Sequence, residues 1–165
     1  MAKIVLMCGI PGSGKSYYAK KHKGENDIYI SRDEIRFSIL KEGEDYFAKE
    51  TLVYNSFIDL INKALQIKGI DTIWVDATHI SKASRSKIIR RILPRYSSLE
   101  AVYMNTPNSI CEYRNSQREG RTRVPIAQIK RMEDQLVQPQ LTEGFSKITI
   151  VENFNGEEKE RIYER

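Results

Sequence analysis

Short apolar runs separated by longer amphipathic stretches set the plan of this chain. Ile4-Val5-Leu6-Met7-Cys8 is an unbroken apolar run of strand length. Four more follow: Asp27-Ile28-Tyr29-Ile30, Thr72-Ile73-Trp74-Val75-Asp76, Leu99-Glu100-Ala101-Val102-Tyr103 and Ile148-Thr149-Ile150-Val151. Between them the period lengthens. From 45 to 68, apolar residues fall at Phe47, Val53, Phe57, Leu60, Ile61, Ala64 and Leu65, one face of a long helix that Gly69 closes. Residues 81–92 predict another helix, with Ser81 placed to cap it and Pro94 beyond its end. Residues 17–21 contain no breaker and continue as a helix, and 106–117 and 126–137 predict two more around Gly120 and Pro125. Strands alternating with helices imply an α/β fold: a five-stranded, mostly parallel sheet with helices on both faces. Nothing reads as an interdomain linker, so residues 1–165 form a single domain. The terminal stretch 157–165 is charged, and reads as a short strand or a loose tail.

Composition changes this picture little, and charge changes it more. At 165 residues, 40% hydrophobic and 30% charged, the chain has the make-up of a soluble globular domain. No run is long enough to cross a membrane, and the start of the chain, which enters the first strand after Met1-Ala2-Lys3, lacks the regions of a signal peptide. A cytoplasmic protein is expected, with reduced thiols at Cys8 and Cys111; two cysteines make neither a metal site nor a disulfide framework. The net charge is +5, but it is unevenly placed. The windows 82–95 and 114–131 together carry +11, which leaves the rest of the chain at −6. Concentrated basicity suits a partner bearing phosphates, although a solvated helix face gives the same pattern.

The chemistry starts at the end of the first run. Gly9-Ile10-Pro11-Gly12-Ser13-Gly14-Lys15-Ser16 satisfies G-x-x-x-x-G-K-[ST] and lies between a strand and a helix, where a phosphate-binding loop has to lie. Glycines let successive backbone N–H groups converge on phosphate oxygens, and the following helix adds the positive end of its dipole. Lys15 would reach the β/γ-phosphates of a nucleoside triphosphate, and the Ser16 hydroxyl would hold Mg²⁺.

What happens to the triphosphate is decided by other segments. The Asn-Lys-x-Asp signature expected of a GTPase is absent, since Asn62-Lys63 continues as Ala64-Leu65 inside a predicted helix. Ser31-Arg32-Asp33-Glu34-Ile35-Arg36 follows the second strand, and ligands bind at the carboxyl ends of strands in an open parallel sheet. Asp33 at a helix start could serve as a base, and Arg36 one turn later could clamp an anionic acceptor. The same residues could equally be a helix cap (Ser31 or Asp33) and a surface arginine. Arg114, Arg118 and Arg121 are spaced so that a helix would align all three on one face, ready for anions. Asp76 ends an apolar strand, which places it either beside Mg²⁺ or in a salt bridge orienting Arg36 or Arg118. His79 reads as a loop residue, and Trp74 with the helical tyrosines as core or rim.

These segments together resemble the 5′-hydroxyl kinase domain of phage polynucleotide kinase and its P-loop relatives. The resemblance rests on Gly9 to Ser16, Arg32-Asp33-Glu34-Ile35-Arg36, Asp76, Arg114-Asn115-Ser116-Gln117-Arg118 and Val124-Pro125-Ile126, in that order. It implies ATP, or another NTP, and Mg²⁺ as cofactors, with Gly9, Pro11, Gly12, Ser13, Gly14, Lys15, Ser16, Arg114 and Arg118 at the nucleotide. It implies Asp33 as general base with Lys15 and Arg118 as its catalytic partners. Asp33, Arg36 and Asp76 would line the acceptor, Ser16 and Asp76 would hold the metal, and residues 112–126 would form a helical arginine-rich lid. No Asp-x-Asp-Gly-Thr phosphatase motif is present, and Arg121 and Arg123 are additions to the lid pattern. The expected activity is γ-phosphoryl transfer to the 5′-hydroxyl end of RNA or DNA, with no membrane partner. The alternatives are a kinase acting on a small metabolite or nucleotide sugar, and a nucleotide-dependent binding module.

Overall fold

Each of the five apolar runs becomes a strand, and the charged C-terminal stretch adds a sixth. The computed structural model describes residues 1–154 and 157–165. The strands are β1 (Lys3–Cys8), β2 (Ile28–Ser31), β3 (Thr72–Asp76), β4 (Leu99–Asn105), β5 (Lys147–Phe154) and β6 (Glu157–Glu164). They form one sheet in the order β2-β3-β1-β4-β5-β6, parallel throughout except for β6, which runs antiparallel to β5. The expected count of five is therefore corrected to six among the described residues. Every residue of β6 is exposed, so burial imprints no apolar alternation on its sequence. Its anchors are the ladder to β5, the Arg161–Glu152 pair and the Tyr18 hydroxyl donating to Glu160 at 2.7 Å.

The helices are α1 (Lys15–His22), α2 (Arg32–Ile39), α3 (Glu50–Ala64), α4 (Lys82–Ile89), α5 (Asn108–Ser116) and α6 (Ile126–Gln135). Alternation along β1 divides the interior into two layers. Ile4, Leu6 and Cys8 face Val53, Phe57 and Ile61 of α3 and Ile88 of α4, while Val5 and Met7 face Tyr18 and Ala19 of α1 with Trp74 and Val102. Helices thus cover both faces, as the pattern implies.

Several boundaries move inward for local reasons. Residues 46–49 form a turn rather than the start of α3, and they carry Tyr46 and Phe47 toward the site. At the far end of α4, Asn62 Oδ1 accepts from the Leu93 N–H at 2.8 Å while its amide donates to the Arg91 carbonyl at 3.2 Å, which holds the chain in a turn. Arg85 departs most from expectation. It belongs to the basic window 82–95, yet its side chain is fully buried, forked onto Glu143 at 2.8 and 3.1 Å and bonded to the carbonyls of His79 and Val137. One of the six charges in that window is therefore internal.

Candidate active site

The carboxyl ends of β1, β2 and β3 meet at one place, because Met7 pairs with Asp76 and Ser31 pairs with Asp76 in the parallel register. The loop after β1 turns through Gly9, Gly12 and Gly14, all at positive φ. Gly12 is the tightest: a Cβ there would lie 2.4 Å from the Cys111 carbonyl oxygen of α5, at φ +84. No side chain fits against a backbone atom at that distance. Gly14 caps α1 at φ +97, so Lys15 and Ser16 open the helix, with no acid in its first turn to compete for an anion. Ser13 Oγ is buried with no hydrogen-bond partner, and Lys15 Nζ folds onto the Ile10 carbonyl at 3.0 Å. Burial lowers the Lys15 pKa, against the opposing pull of Asp76 and Asp33.

Ser16 Oγ donates to Asp76 Oδ2 at 2.6 Å, and the Tyr29 hydroxyl donates to the same oxygen at 2.5 Å. A hydroxyl beside a carboxylate is a hard-oxygen donor set of the kind Mg²⁺ takes alongside phosphate oxygens and water, so these residues fit the metal. Among the described residues, no three His, Cys, Asp or Glu side chains cluster as a metal cage. Burial and the Asp76 charge raise the Tyr29 pKa, keeping its proton on the phenol.

At α2, Ser31 is the cap: its Oγ accepts from the Glu34 N–H at 3.2 Å. That leaves the Asp33 carboxylate out of the cap, half exposed and facing a cavity. Asp33 Oδ1 accepts from Arg36 and from the Tyr46 hydroxyl, the latter at 2.6 Å. Arg36 is buried. It donates to Tyr46 at 2.9 Å, forks onto both oxygens of Glu50 at 2.8 and 2.9 Å, and lies 4.2 Å over the Tyr46 ring. Burial pulls its pKa down, but Tyr46, Glu50 and Asp33 outweigh this and raise it. Glu50 also accepts from Arg32. Arg36 is thus not the open clamp its spacing suggests; it is the hub of an ion-pair cluster.

Two cavities flank the phosphate loop. The first, about 270 Å³, is lined by Asp33, Arg36, Tyr46, Glu50, Asp76 and Arg118 among others. The second, about 370 Å³, is lined by Gly12, Gly14, Met104, Arg114, Asn153 and Glu158. Lys15, Ser16 and Arg118 border both. A further, apolar cavity of about 420 Å³ lies along β2, α2 and α3, away from the loop.

The helical arginine array is corrected by the structure. Helix α5 ends at Ser116, so Arg114 lies in it, Arg118 lies beyond it and Arg121 sits in a separate 3-10 turn (Gly120–Thr122). The buried Asn115 amide causes this, since it pairs with both the N–H and the carbonyl of Val124 at 3.0 and 2.8 Å and draws the chain into a loop. Each arginine then has its own task. Arg114 donates to the Gly12 carbonyl at 3.2 Å, Arg118 faces both cavities, and Arg121 reaches the carbonyls of Leu40 and Phe37 at the end of α2. Arg123 folds back onto the Arg118 and Ser116 carbonyls. Pro11 borders the first cavity and Gly9 stands behind the loop, its N–H on the Thr78 carbonyl at 2.9 Å. His79 is buried at φ +42, with Nδ1 2.6 Å from the Met7 carbonyl oxygen, and burial lowers its pKa to about 4. Burial also pushes the thiol of Cys8 up to about 12 and that of Cys111 to about 11, so both stay protonated.

Sequence reasoning missed Tyr46, Glu50, Tyr29, Asn153 and Glu158. None sits in a local motif; Glu50 meets Arg36 only because α3 packs on α2.

The family model described as an AAA domain (AAA_33) matches residues 4–139. No curated protein matches the chain. The fold is similar to that of the AvrRxo1-ORF1:AvrRxo1-ORF2 complex with ATP, at a TM-score of 0.73 and 13% identity over 97% of this chain and 57% of that one. It is also similar to a chain of the Pnkp1/Rnl/Hen1 RNA repair complex, at 0.65 and 22% over 82% and 44%. A sugar kinase from Janibacter sp. HTCC2649 matches at 0.62 and 18% over 92% and 85%. At these identities the likeness is one of fold.

Proposed function

The chain belongs to the AAA domain family, and on that footing we propose that it is a phosphotransferase moving the γ-phosphoryl group of ATP, or another NTP, to the 5′-hydroxyl end of a polynucleotide. One observation carries the transfer: the cavity holding Asp33 and the cavity holding the phosphate loop share Lys15, Ser16 and Arg118. A group passing from one to the other must pass these residues. A hydrolysing switch needs no such second chamber.

Each side chain then has a task. Lys15 neutralises charge on the β/γ-phosphates, helped by the amides at the start of α1. Ser16 and Asp76 would hold Mg²⁺, which when bound supplies charge neutralisation across the β/γ-phosphates. Asp33 accepts the proton as the acceptor oxygen bonds to the γ-phosphorus and the bond to the β–γ bridging oxygen breaks. Arg118 stabilises charge spread over the migrating group. Tyr46 keeps Asp33 aimed at the cavity, and its pKa, raised by burial and by the Asp33 charge, keeps it a donor.

The polynucleotide acceptor is supported by the arginines and aromatic rings around the Asp33 cavity and by the RNA repair assembly among similar folds. A second reading, a small-metabolite or nucleotide-sugar acceptor, is favoured by the Arg36–Glu50 fork, which takes up a cation a flanking phosphate would otherwise meet. Labelled ATP offered with 5′-hydroxyl oligonucleotides, nucleosides, nucleoside 3′-monophosphates and sugars decides between them. Turnover of a sugar with none of the nucleotides would replace the first reading by the second.

A further inference from the structure

The basic window 82–95 plays no part in the site as described, yet part of it converges on the rim of that site. Tyr54 lies one helical turn after Glu50 on the same face of α3. Three cations gather on its ring: the Arg32 guanidinium at 5.0 Å, Lys87 Nζ at 4.5 Å and the Arg91 guanidinium at 5.5 Å. Arg32 lines the Asp33 cavity, while Lys87 and Arg91 are exposed on and just beyond α4. The ring therefore joins the cavity to the flank of the domain between α3 and α4.

The charge balance of this strip is one-sided. Arg32 is answered by Glu50, whereas among the described residues the hydrogen bonds of the Arg91 side chain go to the neutral Asn55 amide oxygen, at 3.3 Å. No acid occurs between Lys82 and Arg95, and Arg90 adds a further exposed cation beside Arg91. Like charges on one ring repel, and a cation–π contact at an exposed site returns only about 0.5–1 kcal/mol. A chain of phosphates would relieve that repulsion, and the half-buried Tyr54 ring, packed on the core, holds the cations beside one another.

We propose that Lys87, Arg91 and Tyr54 form a track for the single-stranded nucleic acid that continues from the acceptor's 5′ end, leaving the Asp33 cavity past Arg32. The proposal rests on the polynucleotide reading for its direction, but it is a claim about a surface and can fail separately. On this track the first nucleotide is held in the cavity, and the following backbone phosphates meet Lys87 and Arg91.

The test is equilibrium binding of a fluorescent 5′-hydroxyl oligonucleotide, without ATP, at several salt concentrations, for the wild type and the Lys87→Ala/Arg91→Ala double variant. Thermal melting verifies that the variant is folded, and Lys87→Glu/Arg91→Glu is a second variant of opposite charge. Removing two phosphate contacts to a single strand makes the slope of log K against log salt less negative by about 1.4. Oligonucleotide KM rises while kcat with a nucleoside 3′-monophosphate, too short to reach α4, stays unchanged. Wild-type slope and affinity in both variants overturn the track even if oligonucleotides are phosphorylated. So does a wild-type protein that binds no oligonucleotide. If the variants lose binding but no oligonucleotide is ever phosphorylated, the track stands and the kinase reading falls.

Discussion

The two cavities beside the phosphate loop are built on different principles. The side that the proposed transfer makes the donor is built largely of backbone: Gly12 against the Cys111 carbonyl, Gly14 capping α1, Arg114 on the Gly12 carbonyl. Its shape follows from one octapeptide and a strand register. The acceptor side is made of side chains answering one another, with Asp33, Arg36, Tyr46 and Glu50 drawn from α2, a turn and α3. Backbone geometry tolerates few substitutions and binds any phosphate chain alike. A side-chain cluster can be retuned one residue at a time, and on the proposed function that is where substrate choice would be set.

Gly12→Ala separates the two sides most sharply. The new methyl would overlap a backbone atom at positive φ, so the loop cannot keep its shape; ATP binding and transfer should both vanish in calorimetry and turnover. Lys15→Ala should come close to it, through lost charge rather than lost shape. If Gly12→Ala binds ATP normally, the donor side is not the rigid frame described. Asp33→Asn, on the other side, should lower kcat about 10²- to 10⁴-fold and leave ATP affinity intact. Arg118→Ala borders both cavities and should cost on the order of 10³-fold in kcat with ground-state binding largely spared. Wild-type turnover in either variant removes that residue from the chemistry.

Glu50→Gln sharpens the contrast further. It loosens the fork between the buried Arg36 and the partly exposed Glu50, so a shift of about fivefold in acceptor KM is expected, with ATP binding unmoved. A fall in KM for phosphate-bearing acceptors marks Arg36 as held in reserve; a KM that does not move shows the cluster is only structural. One further effect concerns stability and belongs to neither side. His79 binds its proton less readily when folded, so the unfolded chain takes up more protons between about 6.5 and 4. Stability should be full above that window and decline as pH falls through it, and His79→Gln should flatten the decline in melts at pH 7 and pH 4.5. An unchanged decline would mean that other groups carry it.

The same contrast explains what could be read from the sequence. Strands buried on both faces announce themselves as apolar runs, and the loop between β1 and α1 carries its chemistry in consecutive residues. β6 is legible only as a charged stretch open to two readings, a short strand or a loose tail, because a fully exposed edge strand is held by its ladder and not by burial. The helical alignment of Arg114, Arg118 and Arg121 rests on spacing, which cannot anticipate that Asn115 captures Val124 nine residues on. Asp33 was visible as an acid after a strand; Tyr46 and Glu50, which aim and neutralise the groups around it, were not. They become neighbours only when α3 docks, and no local pattern encodes that.

The close approach of Gly12 to Cys111 has one more consequence. With Arg114 bonded to Gly12 as well, α5 and the phosphate loop are braced against each other. Any swing of Arg118 over a bound triphosphate must therefore pivot beyond Ser116, in the short arch that Asn115 pins at its far end through Val124. Such an arch has two fixed feet and a glycine at positive φ, Gly120, in its span. It bends like a handle and does not open like a door, so the excursion of Arg118 is limited to what a few backbone dihedrals between those feet allow.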